Sequence, residues 1–113
     1  MPFINTKVNM PLPEEKEAAL KARLGDAISL LGKSEEWLML NFEDNCRMYF
    51  KGEKSKPMAF VEVLAFGHIA DGASERMTAA VTQAFVDELG IPGPNVYVCY
   101  GETGQWGWNG GNL

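Results

Sequence analysis

Apolar residues recur along this chain at two different spacings. Alternating or continuous apolar runs at residues 2–8, 37–42, 57–65 and 95–100 predict four β-strands. A shorter run at 47–50 predicts an additional short strand. Between the first two runs the spacing changes. Leu20, Leu24, Ala27, Ile28 and Leu31 fall on one face of a helix that opens near Pro13. Glu14, Glu15 and Glu17 occupy its first turns, where negative charge suits the helix dipole, and Gly32 is positioned to stop it. A second helix is predicted from Ala73 or Ser74, with Met77, Ala80, Val81, Ala84, Phe85 and Leu89 as its apolar face and Gly90 as its stop.

The order strand–helix–strand therefore occurs twice. The segment from Leu31-Gly32-Lys33 into the second strand matches the segment from Leu89-Gly90-Ile91 into the fourth at an offset of 58 positions. The same offset sets Phe3-Ile4 against Val61-Glu62. Each unit favours parallel strands joined by a right-handed crossover. Two of them predict an α+β, two-layer fold: a duplicated β-α-β unit forming a four-stranded mixed sheet, with two antiparallel helices on one face. The opposite sheet face carries Phe60 or Val61 and Met39 or Leu40, which are poorly suited to water. A symmetric oligomer that covers this face is expected.

Composition narrows the class. The 113 residues suit one domain spanning 1–113, and 46% hydrophobic content is enough for a core. A net charge of −5 with scattered Lys and Arg argues against nucleic acid as a partner. Lys51, Lys54 and Lys56 form the one basic cluster, read as a solvated loop. Cys46 and Cys99 match no metal or redox spacing and are expected to be free thiols. Neither a signal peptide nor a membrane span is legible. A cytoplasmic protein is expected, or one secreted by a route that needs no signal peptide. No phosphate-binding glycine loop, nucleophile triad or metal cluster is present, so neither cofactor nor metal is expected.

Candidate chemistry lies at the two ends. Pro2 follows Met1, which is normally trimmed before so small a residue. A terminal proline would be a secondary amine, with an unperturbed pKa of about 8, that modest tuning converts into a base at neutral pH. The other end reads Gln105-Trp106-Gly107-Trp108-Asn109-Gly110-Gly111-Asn112-Leu113. Two tryptophans among glycines do not form a regular helix. They either pack an ordered tail or line an apolar pocket.

Pro2, Leu31-Gly32-Lys33, Val96-Tyr97-Val98-Cys99-Tyr100 and Gly107-Trp108-Asn109-Gly110 occur in the order and spacing found in macrophage migration inhibitory factor. Over essentially its full length the chain resembles that family, within the tautomerase superfamily. The resemblance implies a homotrimer whose three sheets surround a central channel. It also implies cofactor-independent keto–enol tautomerase activity of the phenylpyruvate or dopachrome type, acting on a small aromatic enol or keto acid. A cytokine-like or host-modulating role, with a receptor protein as partner and an incidental pocket, is the alternative the same family carries.

By resemblance Pro2 is the catalytic base and Lys33 contacts the substrate carboxylate, although a lysine after a helix-ending glycine also suits plain solvation. Tyr97 corresponds to a tyrosine that reaches the pocket from a neighbouring subunit. Phe66 corresponds to an aliphatic pocket residue whose backbone N–H can bind a substrate oxygen. Phe3, Trp37, Trp106 and Trp108 would supply apolar walls. The chain also departs from the pattern: Cys99 replaces an asparagine, Trp37 replaces a tyrosine, and Met58-Ala59-Phe60-Val61 replaces the Cys-x-x-Cys of some members. The loop from Lys51 to Lys56 is one residue longer, and the end Gly111-Asn112-Leu113 lacks an aromatic. His68 is read as a surface or structural residue.

Overall fold

A computed structural model describes residues 1–113. In chain order the elements are β1 (Pro2–Val8), α1 (Glu14–Ala27), β2 (Met39–Glu43), β3 (Ala59–Phe66), α2 (Ala73–Leu89), β4 (Val96–Thr103), β5 (Gly107–Trp108) and β6 (Gly111–Asn112). Three 3₁₀ turns, Ile28–Leu31, Glu35–Trp37 and Gly93–Asn95, join them. The main sheet has the order β2-β1-β3-β4. β1 is parallel to β2 and antiparallel to β3, and β3 is parallel to β4. Because each helix returns the chain between parallel strands, and β1 and β3 run oppositely, the two helices are antiparallel.

Alternation along the central strands decides which side chains meet the helices. Pro2, Ile4, Thr6 and Val8 are buried on β1, as are Ala59, Val61, Val63 and Ala65 on β3. Of these, Ile4, Val8, Ala59, Val61 and Val63 share one core with Leu20, Leu24 and Ile28 from the first helical segment and Met77, Val81 and Phe85 from the second. Each such fully buried side chain contributes on the order of 1.5–3 kcal/mol relative to exposure. Arg23 on α1 donates to Asp87 on α2 at 2.8 Å and clamps the two helices at the surface.

The internal repeat is real but its register slips by one residue. Gly32 and Gly90 both end their helices in the left-handed conformation, with φ of 73° and 66°. At an offset of 58, however, buried Ile4 would correspond to Glu62, which points to the other face. Face for face, Ile4 corresponds to Val61, Leu20 to Met77 and Ile28 to Phe85, an offset of 57. The slip occurs where the first helix tightens. The Gly32 amide bonds to Ser29, three residues back, whereas the Gly90 amide bonds to Val86, four back. A 3₁₀ turn covers the same arc with fewer residues than an α turn. From there Leu40 corresponds to Val98 and Phe42 to Tyr100, at 58.

Three boundary expectations are corrected. Residues 47–50 form no strand: Phe50 and Glu53 exchange two backbone bonds around Lys51-Gly52, both with positive φ, in an isolated tight turn. Trp37 lies in a 3₁₀ turn whose N-cap, Ser34, accepts from the Glu36 amide, so β2 begins at Met39. β4 continues past Tyr100 to Thr103, because Gly101, Glu102 and Thr103 pair with Leu64, Ala65 and Phe66.

The face away from the helices carries Phe60 and Met39, with Val61 and Leu40 turned inward. It is not uniformly apolar. Asn5 donates to Glu62 at 3.4 Å, and Asn41 donates to Asn5 at 2.8 Å and to Glu43 at 3.4 Å, forming a polar row across the strands. Met39, Leu64 and Tyr97 remain exposed on the same face. No helix is long and apolar enough to cross a membrane.

Candidate functional site

The strand pairings converge on the head of β1. Pro2 is paired with Ala65, and Phe3 lies between Met39 on β2 and Leu64 on β3. Gly101, opposite Leu64 on β4, leaves that leucine room, since a Cβ there would stand 2.8 Å from its Cδ2. Over these residues folds the C-terminal segment. Its tip is a two-residue loop, Asn109-Gly110, with φ of 52° and 82°, between β5 and β6. Positive φ at both loop residues is what an Asn-Gly hairpin turn requires. The Leu113 amide bonds the Trp106 carbonyl at 2.9 Å and fastens the end of this ribbon.

Between the ribbon and the sheet is a cavity of about 730 Å³. Pro2, Phe3, Trp37, Trp106 and Trp108 line it, together with Met1, Leu38, Met39, Leu64, Gly107, Glu36 and Gln105. The Trp37 and Trp108 rings meet edge to face with centroids 5.5 Å apart, an attractive arrangement that fixes one wall. A cavity of this size and apolar character, with a few polar groups, suits a small organic ligand.

Further polar groups gather beside the Pro2 end. The Phe66 amide donates to the Met1 carbonyl at 3.0 Å. Lys33 follows the left-handed Gly32, and its Nζ donates to the Phe66 carbonyl at 2.8 Å. The Met1 α-amine is pushed below its ordinary pKa, first by burial and second by the charge of Lys33. Both effects disfavour a protonated amine at this place. Lys33 and Phe66 thus sit beside the N-terminus, outside the lining of the cavity itself.

Tyr97 is elsewhere in the protomer. It packs edge-on against Phe50 with centroids 5.2 Å apart, and it lines a separate hollow of about 110 Å³ with Met48, Phe60 and Asn95. On β4 it is five residues from Glu102, whose partner Ala65 is the partner of Pro2. Along a strand that is about 17 Å. His68 is exposed and faces Glu102 at 3.2 Å, and Cys99 is exposed opposite Glu62. No group of three His, Cys, Asp or Glu residues is arranged to hold a metal ion.

Glu36, Leu38, Met39, Leu64 and Gln105 are cavity residues that motif reading alone does not single out. Strand alternation could have found Met39 and Leu64, since both share the outward face with Phe3. Nothing in the sequence marks Gln105.

Comparison with known proteins agrees with this geometry. The family model for macrophage migration inhibitory factor (MIF) matches residues 1–113. No curated protein sequence matches the chain. Among solved structures, Leishmania major MIF2 is 37% identical, with a TM-score of 0.92 over 100% of this chain and 97% of that one. A macrophage migration inhibitory factor homologue from Prochlorococcus marinus is 26% identical, with a TM-score of 0.87 over 97% of each chain. A fused 4-OT described as a symmetric trimer shares the fold at 20% identity, with a TM-score of 0.85 over 96% of this chain and 93% of that one. The chain belongs to the macrophage migration inhibitory factor family.

Proposed function

We propose that this protein, once Met1 is removed, is a cofactor-independent keto–enol tautomerase acting on aromatic 2-oxo acids, with the Pro2 nitrogen as its base. The observation that carries this reading is the position of Pro2, buried at the end of an apolar cavity and next to a lysine. Removal of Met1 would convert the Pro2 nitrogen from an amide to a secondary amine. The burial and the Lys33 charge that depress the Met1 amine would then act on Pro2 and keep it neutral and proton-accepting near pH 7.

The reaction needs one group that moves a proton between carbon and oxygen. The Pro2 nitrogen takes the proton from the carbon next to the keto group. The electron pair delocalises onto oxygen as an enolate, and the Pro2 ammonium returns the proton there, giving the enol. Ketonisation is the same path reversed, and no cofactor takes part. Lys33 binds the substrate carboxylate. The Phe66 amide, now bonded to the Met1 carbonyl, is freed with Met1 and offered to a substrate oxygen. Phe3, Trp37, Trp106 and Trp108 hold the ring.

A homotrimer completes the site in this reading. Tyr97 lies too far along β4 to serve its own cavity, and it is exposed next to Phe50, where a neighbouring subunit would receive it. The apolar ends of the bare sheet face would pack between subunits, and the Glu62–Asn5–Asn41–Glu43 row would line the central channel.

The test is the rate of ketonisation of enolic phenylpyruvate by protein whose intact mass shows Met1 absent. Pro2→Gly is expected to lower kcat/KM by about a hundredfold or more. Equal rates for the two proteins would remove Pro2 from the mechanism.

A further inference from the structure

Glu36 carries the one ionisable side chain among the residues lining the cavity. Its backbone is fixed: the amide bonds the Ser34 hydroxyl at 3.1 Å in the 3₁₀ turn that also presents Trp37. Its carboxylate joins none of the ion pairs in the protein, and Lys33 is engaged instead at the Phe66 carbonyl. The cavity is therefore electrically polarised. A cation lies beside Pro2, and an anion lies on the wall formed with Trp37.

We propose that Glu36 is a specificity-determining residue that selects aromatic monoacids carrying a cationic ring substituent over those carrying a second anion. The inference rests on the reading of the cavity as a site for aromatic acids. Such a ligand with its carboxylate toward Lys33 directs its ring along Trp37 and Trp108, and the far edge of the ring toward Glu36. A ring ammonium there is attracted. Glu36 is exposed at the cavity mouth, so a ring carboxylate meets like charge across partly solvated space, which repels it. Small dicarboxylates are disfavoured for the same reason.

The test uses binding, so it stands whether or not turnover is seen. The ligands are 3-phenylpropanoate and its para-aminomethyl and para-carboxylate derivatives, titrated against the tryptophan fluorescence of the Met1-free protein. In wild-type protein the para-aminomethyl compound is expected to bind more tightly than the para-carboxylate. In Glu36→Gln the ratio of the two Kd values is expected to shrink by about two- to fivefold, the range for one partly solvated charge pair. Glu36→Lys should invert the preference, and added salt should move the wild-type ratio toward that of Glu36→Gln. An unchanged ratio in Glu36→Gln, with all three ligands binding, overturns the role of Glu36 alone. Failure of unsubstituted 3-phenylpropanoate to bind overturns the aromatic-acid site, and this inference with it.

Discussion

The Met1 carbonyl accepts the Phe66 amide hydrogen at 3.0 Å, so in the chain that retains Met1 the first residue occupies a donor beside the cavity. Retention of Met1 has two separate consequences. It leaves Pro2 as an amide without basicity, and it blocks the Phe66 N–H. Protein shown by intact mass to keep Met1 is therefore expected to ketonise phenylpyruvate at least a hundredfold more slowly than trimmed protein. It is also expected to bind 3-phenylpropanoate more weakly. Mixed preparations should show activity proportional to the trimmed fraction.

In the proposed mechanism Lys33 has two roles, binding the substrate carboxylate and depressing the terminal amine, and one substitution separates them. Lys33→Met removes a charge that depresses the terminal amine, so the pKa of the base should rise. The base must be neutral to act, and activity rises with pH through its pKa. The acid limb of the kcat/KM profile should therefore move to higher pH in the variant. Loss of the carboxylate contact should raise KM about tenfold as well, the scale of a charge-assisted hydrogen bond. A change in KM with an unmoved pH profile would show that Lys33 binds substrate without tuning Pro2.

Trp108 reaches the cavity through the Asn109-Gly110 turn and is steadied by Trp37. Trp108→Ala removes an aromatic wall and its edge-to-face partner. KM for an aromatic enol is expected to rise about tenfold, with a smaller change for an aliphatic 2-oxo acid. Steady-state kinetics on the two substrates make the comparison.

Thr6 is fully buried between sheet and helices, and its Oγ1 has no hydrogen-bond partner. Thr6→Val keeps the shape and removes the unsatisfied hydroxyl. It is expected to stabilise the fold by about 1 kcal/mol. Denaturant unfolding should show a raised midpoint with an unchanged slope.

Residues whose role is local were legible in the sequence. Gly32 and Gly90 mark helix ends because glycine, lacking a Cβ, adopts the left-handed closing conformation without steric penalty, and the structure has both in that conformation. The apolar faces Leu20–Leu24–Ile28 and Met77–Val81–Phe85 follow from helical spacing alone. Features set by tertiary partners were harder to read. The one-residue slip of the repeat depends on whether the last turn of the first helix closes as 3₁₀ or α, a choice made by packing. The hairpin holding Trp108 did have a signal, Asn109-Gly110, but its strands are two residues each and show no alternation. Tyr97 could be assigned to the Pro2 site only by resemblance. Within one chain the fold carries it to the other end of β4.

The central claim is that burial and Lys33 keep the terminal imino group of the trimmed chain unprotonated near neutral pH. Its most direct test is an NMR titration of protein labelled with ¹⁵N-proline, following the Pro2 nitrogen from pH 4 to 10. A pKa well below the ordinary terminal value of about 8, coincident with the acid limb of kcat/KM, is the predicted result. A pKa at or above that ordinary value, with activity that ignores it, would contradict the account.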